Sequence, residues 1–168
     1  MSKYLRRDSD EISWISTELM LNKESPFYNI GSVIGKRSTG RHVTLQNLYR
    51  SIHLLTADQQ VSCLSKKEKL AVALTYFDSI KNRFINEWSD YKDFRLTHIV
   101  CLDALSIAGL KVILTCIPEG KKHVDLKLLT IATNKLDVDW SSKGPLKYIK
   151  GMSGSRMLAE DFRDQMLA

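Results

Sequence analysis

The stretch IVCLDALSIAGLKVILTCI, residues 99–117, decides the fold because it is apolar on nearly every side. A helix of this composition has no polar face to present to water, which predicts a buried central helix over about Arg95–Cys116. Its length would suit a bilayer, but Asp103 and Lys111 lie inside it. Each such charge costs about 2.5–3.5 kcal/mol at the centre of a membrane-spanning helix. We therefore predict a helix buried in protein and no membrane span.

Apolar residues at helical spacing predict further helices on both sides of this stretch. The small residues Ala104, Ala108 and Gly109 would let one of these neighbours approach the central helix closely. Two short β-branched runs, joined by the turn sequence GKRSTG, predict a β-hairpin. The sequence thus predicts a single, mainly α domain over residues 1–168, with five to six helices and one short hairpin. The other helices are expected over about Ser9–Leu21, Leu45–Leu55, Leu70–Trp88, Asp125–Lys135 and Ser155–Leu167, and the hairpin strands over Ile30–Ile34 and Arg41–Leu45.

Two helix starts carry capping signals. Thr44 is placed to cap the helix that begins at Leu45. In SKKE, residues 65–68, Ser65 and Glu68 have the spacing of a capping box, in which each side chain accepts the other residue's backbone N–H.

The net charge of +6 over 168 residues is unevenly distributed along the chain. No Asp or Glu occurs in residues 25–57 or in residues 141–159, whereas both segments carry lysines and arginines. This segregation keeps an anionic partner, such as nucleic acid, among the expected ligands.

The first basic segment predicts a nucleic-acid contact at the hairpin. A positively charged ribbon can hold phosphates or enter a groove. The alternative is a solvent-exposed turn with ordinary surface lysines and arginines. The predicted nucleic-acid-binding residues are Lys36, Arg37, Arg41, His42 and Arg50.

The second basic segment predicts an anion site where GMSGS leads into the last helix. Backbone N–H groups at a helix N-terminus attract anions, and small residues leave room for them to approach. The alternative is an ordinary serine N-cap after a glycine turn. The predicted anion-binding residues are Lys147, Lys150, Ser153, Gly154, Ser155 and Arg156.

No catalytic motif is present. The four histidines lie in four different predicted elements, and no nucleophile elbow, phosphate-binding loop or dinucleotide fingerprint occurs. The three cysteines form no C-x-x-C pair, so the sequence predicts no metal site, no cofactor and reduced thiols in a cytoplasmic protein.

The order of several segments resembles the C-terminal half of DGQHR-domain proteins, a family that includes DndB-like proteins of bacterial DNA phosphorothioation clusters. The similar segments are NKESPFYNIGSVIGK, VTLQNLYRSI, LTYFDSIKNRFINEW, LDVDWSSKGP and KGMSGSRMLAEDF. The namesake D-G-Q-H-R motif of the family's N-terminal half is absent. The resemblance therefore implies a separate fragment, a split family member, a truncated chain or a remnant with no activity of its own, in each case without the chemistry attributed to that motif.

These observations predict a non-enzymatic, DNA-associated or partner-docking domain of a DGQHR/DndB-like protein, in bacterial defence or mobile-element biology. The expected partners are DNA backbone, a protein carrying the missing N-terminal half, or a second copy of the chain in a homodimer. The alternative is a purely structural or oligomerisation domain without a ligand.

Overall fold

The chain is mainly helical, as predicted. The computed structural model describes residues 3–32 and 40–168, with side chains from Arg6 onward, and these residues contain eight helices and two short strands. Six helices have eight residues or more, in agreement with the predicted number, and two are single turns. The elements are α1 (Lys3–Leu21), β1 (Gly31–Ser32), β2 (Val43–Thr44), α2 (Leu45–Leu55), α3 (Gln59–Ser62), α4 (Lys66–Arg83), α5 (Ile85–Trp88), α6 (Ile99–Thr115), α7 (Leu126–Thr133) and α8 (Gly151–Leu167).

Helix α6 is the centre of the packing, which confirms the prediction from its composition. It packs against α8 along its length and against α2, while α1 packs on α2 and α4, and α4 packs on α7. A Cβ atom on Gly109 would lie 2.6 Å from the Tyr76 ring and 2.8 Å from Leu55, so glycine is required for this close approach. Among the described residues, no helix has the length and apolar character needed to cross a bilayer.

Helix α2 begins where the capping signal predicted, and helix α4 uses only half of its predicted capping box. The Thr44 hydroxyl accepts the backbone N–H of Asn47, and the Ser65 hydroxyl accepts that of Glu68. The Glu68 carboxylate, however, accepts the N–H of Val124 at 2.9 Å. The Glu68 half of the predicted capping box was wrong, because the Glu68 carboxylate accepts a backbone N–H that is distant in sequence.

The predicted continuous helix to Trp88 is broken at Phe84, whose φ of −130° and ψ of 56° are not helical. The break turns Trp88 inward, where its indole N–H donates to the carbonyl of Pro26 at 2.9 Å. Phe27 packs edge-on against Trp88 and Phe77, with ring centroids 5.4 and 5.0 Å apart. The turn after α1 is thus fixed against α4 and α5.

The two strands pair in parallel, with Gly31 opposite Val43 and Ser32 opposite Thr44, so the predicted antiparallel hairpin was wrong. Helix α2 follows β2 directly in the chain. Gly31 lies so close to α1 that a Cβ atom on this residue would overlap the sulfur of Met20.

A buried ion pair joins α1 to α4. The Lys69 ammonium is 4% exposed, contacts the Glu11 carboxylate and donates to the carbonyl of Ser62 at 2.8 Å. Burial alone would raise the pKa of Glu11, but hydrogen bonds from Lys69 and Arg7 outweigh burial and lower that pKa.

Candidate functional site

Arg41, a residue of the first predicted site, donates hydrogen bonds to the backbone at and just before β1. Its guanidinium donates to the carbonyls of Tyr28 and Gly31, each at 3.1 Å. Lys36 and Arg37 lie outside the described residues. Contact of these three residues with nucleic acid stays a prediction, and for Arg41 the structure adds a second role in holding β1 near β2.

Arg50 contacts a buried carboxylate of α6. Its Nη2 atom donates to Oδ2 of Asp103 at 2.6 Å, and the Ser51 hydroxyl donates to Oδ1 at 2.8 Å. The side chain of Asp103 is 2% exposed, whereas that of Arg50 is 50% exposed. Burial raises the pKa of Asp103, and the hydrogen bond from Ser51 and the charge of Arg50 only partly offset it. Arg50 therefore neutralises a core acid.

His42 lies inside the protein, whereas the sequence placed it on an exposed ribbon. It is 6% exposed, and its Nε2 atom is 2.8 Å from the Thr97 hydroxyl. Its ring packs on Tyr91, with centroids 4.0 Å apart. The surface prediction failed because residues 91–98, far away in sequence, cover this histidine.

The second predicted site is divided by the start of α8, which lies at Gly151 and thus four residues earlier than expected. Counted from Gly151, the first four N–H groups, which have no helical partners, end at Gly154, so only Ser155 falls inside the hydrogen-bonded helix. The Ser155 hydroxyl donates to the carbonyl of Val100 at 2.9 Å. A Cβ atom on Gly154 would lie 2.8 Å from Ile149, so this glycine permits packing and does not form an open cradle.

The charged residues of this second set have different surroundings. The Lys147 ammonium lies 5.2 Å from the centroid of its neighbour Tyr148. Lys150 is the exposed N-cap of α8, with no side-chain hydrogen bond there, and Ser153 is exposed in the first turn. Arg156 lines a separate groove between α6 and α8. Anion binding by this set stays a prediction.

A different cluster gathers around a cavity of about 150 Å³ at the N-terminal end of α6. Three parts of the chain supply its walls: the segment that enters α2, the loop before α6, and the first turn of α6. The polar lining residues are His42, Asn47, Tyr91, Arg95, Thr97 and His98.

Tyr91 lies between the two histidines of this cluster. Its ring centroid is 4.0 Å from that of His42 and 4.1 Å from that of His98, and the planes are tilted by 31° and 24°. The Nε2 atom of His98 lies 3.0 Å from the carbonyl oxygen of Tyr91. Because a carbonyl only accepts hydrogen bonds, Nε2 carries the proton and Nδ1 is the basic nitrogen of His98.

The electrostatics of the cavity favour a negatively charged occupant. Burial lowers the pKa of His98, and the charge of Arg95 lowers it further, against the opposing effect of the Tyr91 carbonyl. Arg95 is half-buried and donates through Nη1 to the carbonyl of Leu146, which leaves its other N–H groups available. No Asp or Glu is among the described residues that line the cavity.

The first turn of α6 adds backbone donors to the same cavity. Its N-cap residue, His98, makes no side-chain capping hydrogen bond. Ile99 and Val100 line the cavity, and helix geometry leaves their N–H groups without helical partners. The positive end of the helix dipole, the Arg95 guanidinium and the Asn47 amide thus lie around one small volume.

Sequence reasoning missed this cluster because its members lie in three segments that only the tertiary fold brings together. The one available signal was YKDFRLTH, residues 91–98, which concentrates Tyr91, Arg95 and His98 just before the apolar helix. Among the described residues, no group of His, Cys, Asp and Glu is arranged to hold a metal ion. Comparison of the chain with protein-family models, curated proteins and solved structures finds no match.

Proposed function

We propose that the cavity at the N-terminal end of α6 binds a phosphate group and that the chain is a non-enzymatic, DNA-associated domain. The observation that carries this proposal is the meeting of Arg95, His98 and the uncapped first turn of α6 around a cavity without a lining carboxylate. An arginine beside free backbone N–H groups is a common arrangement for phosphate recognition.

The size of the cavity supports a phosphate group over a whole nucleotide. Sites that enclose small molecules usually have volumes of about 300–1,000 Å³. The cavity here measures about 150 Å³, which suits one anionic group of a larger ligand whose remainder stays outside.

Nucleic acid is the ligand class that the remaining observations support best. The net charge is +6, and the chain that enters the cavity at His42 belongs to the acid-free segment of residues 25–57. Phosphate contacts of this kind position a protein on nucleic acid without reading its sequence. The resemblance to the DGQHR/DndB-like family supports the same ligand and a role in bacterial DNA-associated defence. In the alternative proposal, the chain docks on a protein that carries the missing half of that family.

The test compares two substitutions that add the same charge in the first turn of α2. Asn47 lines the cavity, whereas Gln46 is exposed and does not line it. A carboxylate near a helix N-terminus is favourable, so neither Asn47→Asp nor Gln46→Asp should destabilise the helix. Binding of a short fluorescein-labelled DNA duplex is measured by anisotropy, together with competition by inorganic phosphate.

We expect Asn47→Asp to weaken duplex binding about tenfold or more, because a carboxylate would oppose the phosphate inside the cavity. Gln46→Asp should change binding by less than about twofold, since an exposed charge is screened by salt. Equal effects of the two substitutions, or no duplex binding by the parent protein at low salt, would refute the proposed site.

A further inference from the structure

A second concave surface lies between α6 and α8, with the end of α2 along one side. It encloses about 410 Å³, and we call it the α6–α8 groove. On α8 its lining residues recur at Arg156, Ala159 and Arg163, a spacing that places them on one face over two turns. The groove shares no lining residue with the cavity at the start of α6.

The floor of the groove is apolar and made partly of small side chains. Ile107 and Leu110 come from α6, Leu54 comes from α2, and Ala108 and Ala159 leave room between them. Ile107 and Leu54 are only partly buried. Apolar area therefore remains available to a ligand, and covering it would be favourable by roughly 25 cal/mol for each Å² removed from water.

The rim of the groove is mainly positive. Lys111, Arg156 and Arg163 line it, with Glu160 as the one carboxylate among the described lining residues. Arg163 pairs with Asp164 at 3.2 Å. Within residues 3–32 and 40–168, Lys111 and Arg156 make no ion pair, although Glu160 lies one turn from Arg156. Two cations beside an apolar floor thus keep their charge for a ligand.

We propose that the α6–α8 groove binds a medium-chain aliphatic carboxylate. The aliphatic chain would cover Leu54 and Ile107, the partly buried residues of the floor, and the carboxylate would pair with Lys111 or Arg156. The volume lies in the range typical of small-molecule sites. A free carboxylate fits better than a membrane surface, because the apolar lining belongs to a concave volume of about 410 Å³ between two helices.

The test is a calorimetric titration with sodium decanoate below its micelle concentration. Acetate has the charge without the chain, and decanol has the chain without the charge. Vesicles of phosphatidylglycerol present negative charge and aliphatic chains together, but at a membrane surface. Decanoate should bind with one site, whereas acetate, decanol and vesicles should bind at least about tenfold more weakly if both parts of the ligand contribute.

Two variants locate the site. The double substitution Lys111→Glu with Arg156→Glu changes exposed residues and should weaken decanoate binding about tenfold or more. Ala57→Phe fills the exposed side of the groove and should weaken decanoate binding by a comparable factor, although it leaves the charges of the groove unchanged. The matched control is Lys121→Glu with Lys122→Glu, which reverses two exposed charges away from the groove and should bind decanoate as the parent does.

The proposal is overturned if decanoate does not bind, if all three variants bind it equally, or if the vesicles bind more tightly than decanoate. Tighter binding of an acidic amphipathic peptide at the same residues would also overturn it in favour of a protein partner. Because the groove and the cavity share no lining residue, decanoate binding and duplex binding can succeed or fail separately.

Discussion

Two arginines reach helix α6 from different sides, and their partners differ. Arg50, from α2, donates to the buried carboxylate of Asp103 near the middle of the helix. Arg95, four residues before the helix begins, donates to the neutral carbonyl of Leu146 and faces a cavity. The first cation is paired with a buried acid, whereas the second pairs with no acid among the described residues and lines a cavity.

This difference separates a structural cation from one that is available to a ligand. In the sequence, Arg50 belongs to a segment without acids and looked like a surface residue for nucleic acid. Its partner Asp103 is 53 residues away on α6, so the pairing could not be predicted from the sequence. The contrast predicts that substitutions of the two regions will affect different properties, namely stability at Arg50 and ligand binding around Arg95.

The largest effect should follow Arg50→Ala. The substitution leaves Asp103 buried with only Ser51 as a side-chain donor, and we expect unfolding to become easier by about 2 kcal/mol. A fully buried pair would cost about 3–5 kcal/mol, but Arg50 is half exposed and already partly screened by water. Urea denaturation of the two proteins measures the difference.

Asp103→Asn provides the matched background for this experiment. Without the carboxylate, Arg50→Ala should cost less than half as much, because no buried charge is left unpaired. Duplex binding should be the same for Arg50→Ala and the parent, provided that the variant is folded. Loss of duplex binding without loss of stability would contradict the comparison and support the predicted contact of Arg50 with nucleic acid.

A smaller effect is expected in the dependence of stability on pH. Burial raises the pKa of Asp103 above its ordinary value of 3.8, so the folded chain holds this proton more tightly than the unfolded chain does. The contribution of Asp103 to the free energy of unfolding should therefore fall as pH rises from about 4 through its raised folded pKa. Asp103→Asn removes this fall.

The measurement is urea denaturation of the parent and Asp103→Asn over a pH series, read as the difference between the two proteins. The difference is needed because Glu11 has a lowered pKa and acts with the opposite sign. If the stability difference does not vary between about pH 4 and pH 7, Asp103 is not a buried carboxylate of the kind described.

The elements that sequence analysis predicted well depend on local signals. The apolar run of α6, the Thr44 cap of α2 and the small residue Gly109 each work within one helix or one helix contact. The predictions that failed concern contacts between residues that are distant in sequence. Glu68 accepts the backbone N–H of Val124, 56 residues away. Strand β1 pairs in parallel with β2, where a hairpin was predicted.

The candidate site was missed for the same reason. His42 was assigned to the basic ribbon and His98 to no site, and only the fold places Tyr91 between them. The anion site predicted before α8 used a sound rule about helix N-termini, but the predicted start of that helix was four residues too late. The same rule, applied to α6, identifies a helix start that lacks a side-chain cap and adjoins Arg95.

The most direct test of the proposed phosphate site is an NMR titration of the histidine rings with pH, recorded with and without inorganic phosphate. Without phosphate, the pKa of His98 should lie below its ordinary value of 6.5 because the ring is desolvated. A phosphate in the cavity would favour the protonated ring, so the pKa of His98 should rise when phosphate is added. His123 is exposed and does not line the cavity, and its ring signals at a fixed pH should hardly move when phosphate is added. A His98 pKa that phosphate leaves unchanged would contradict the proposal.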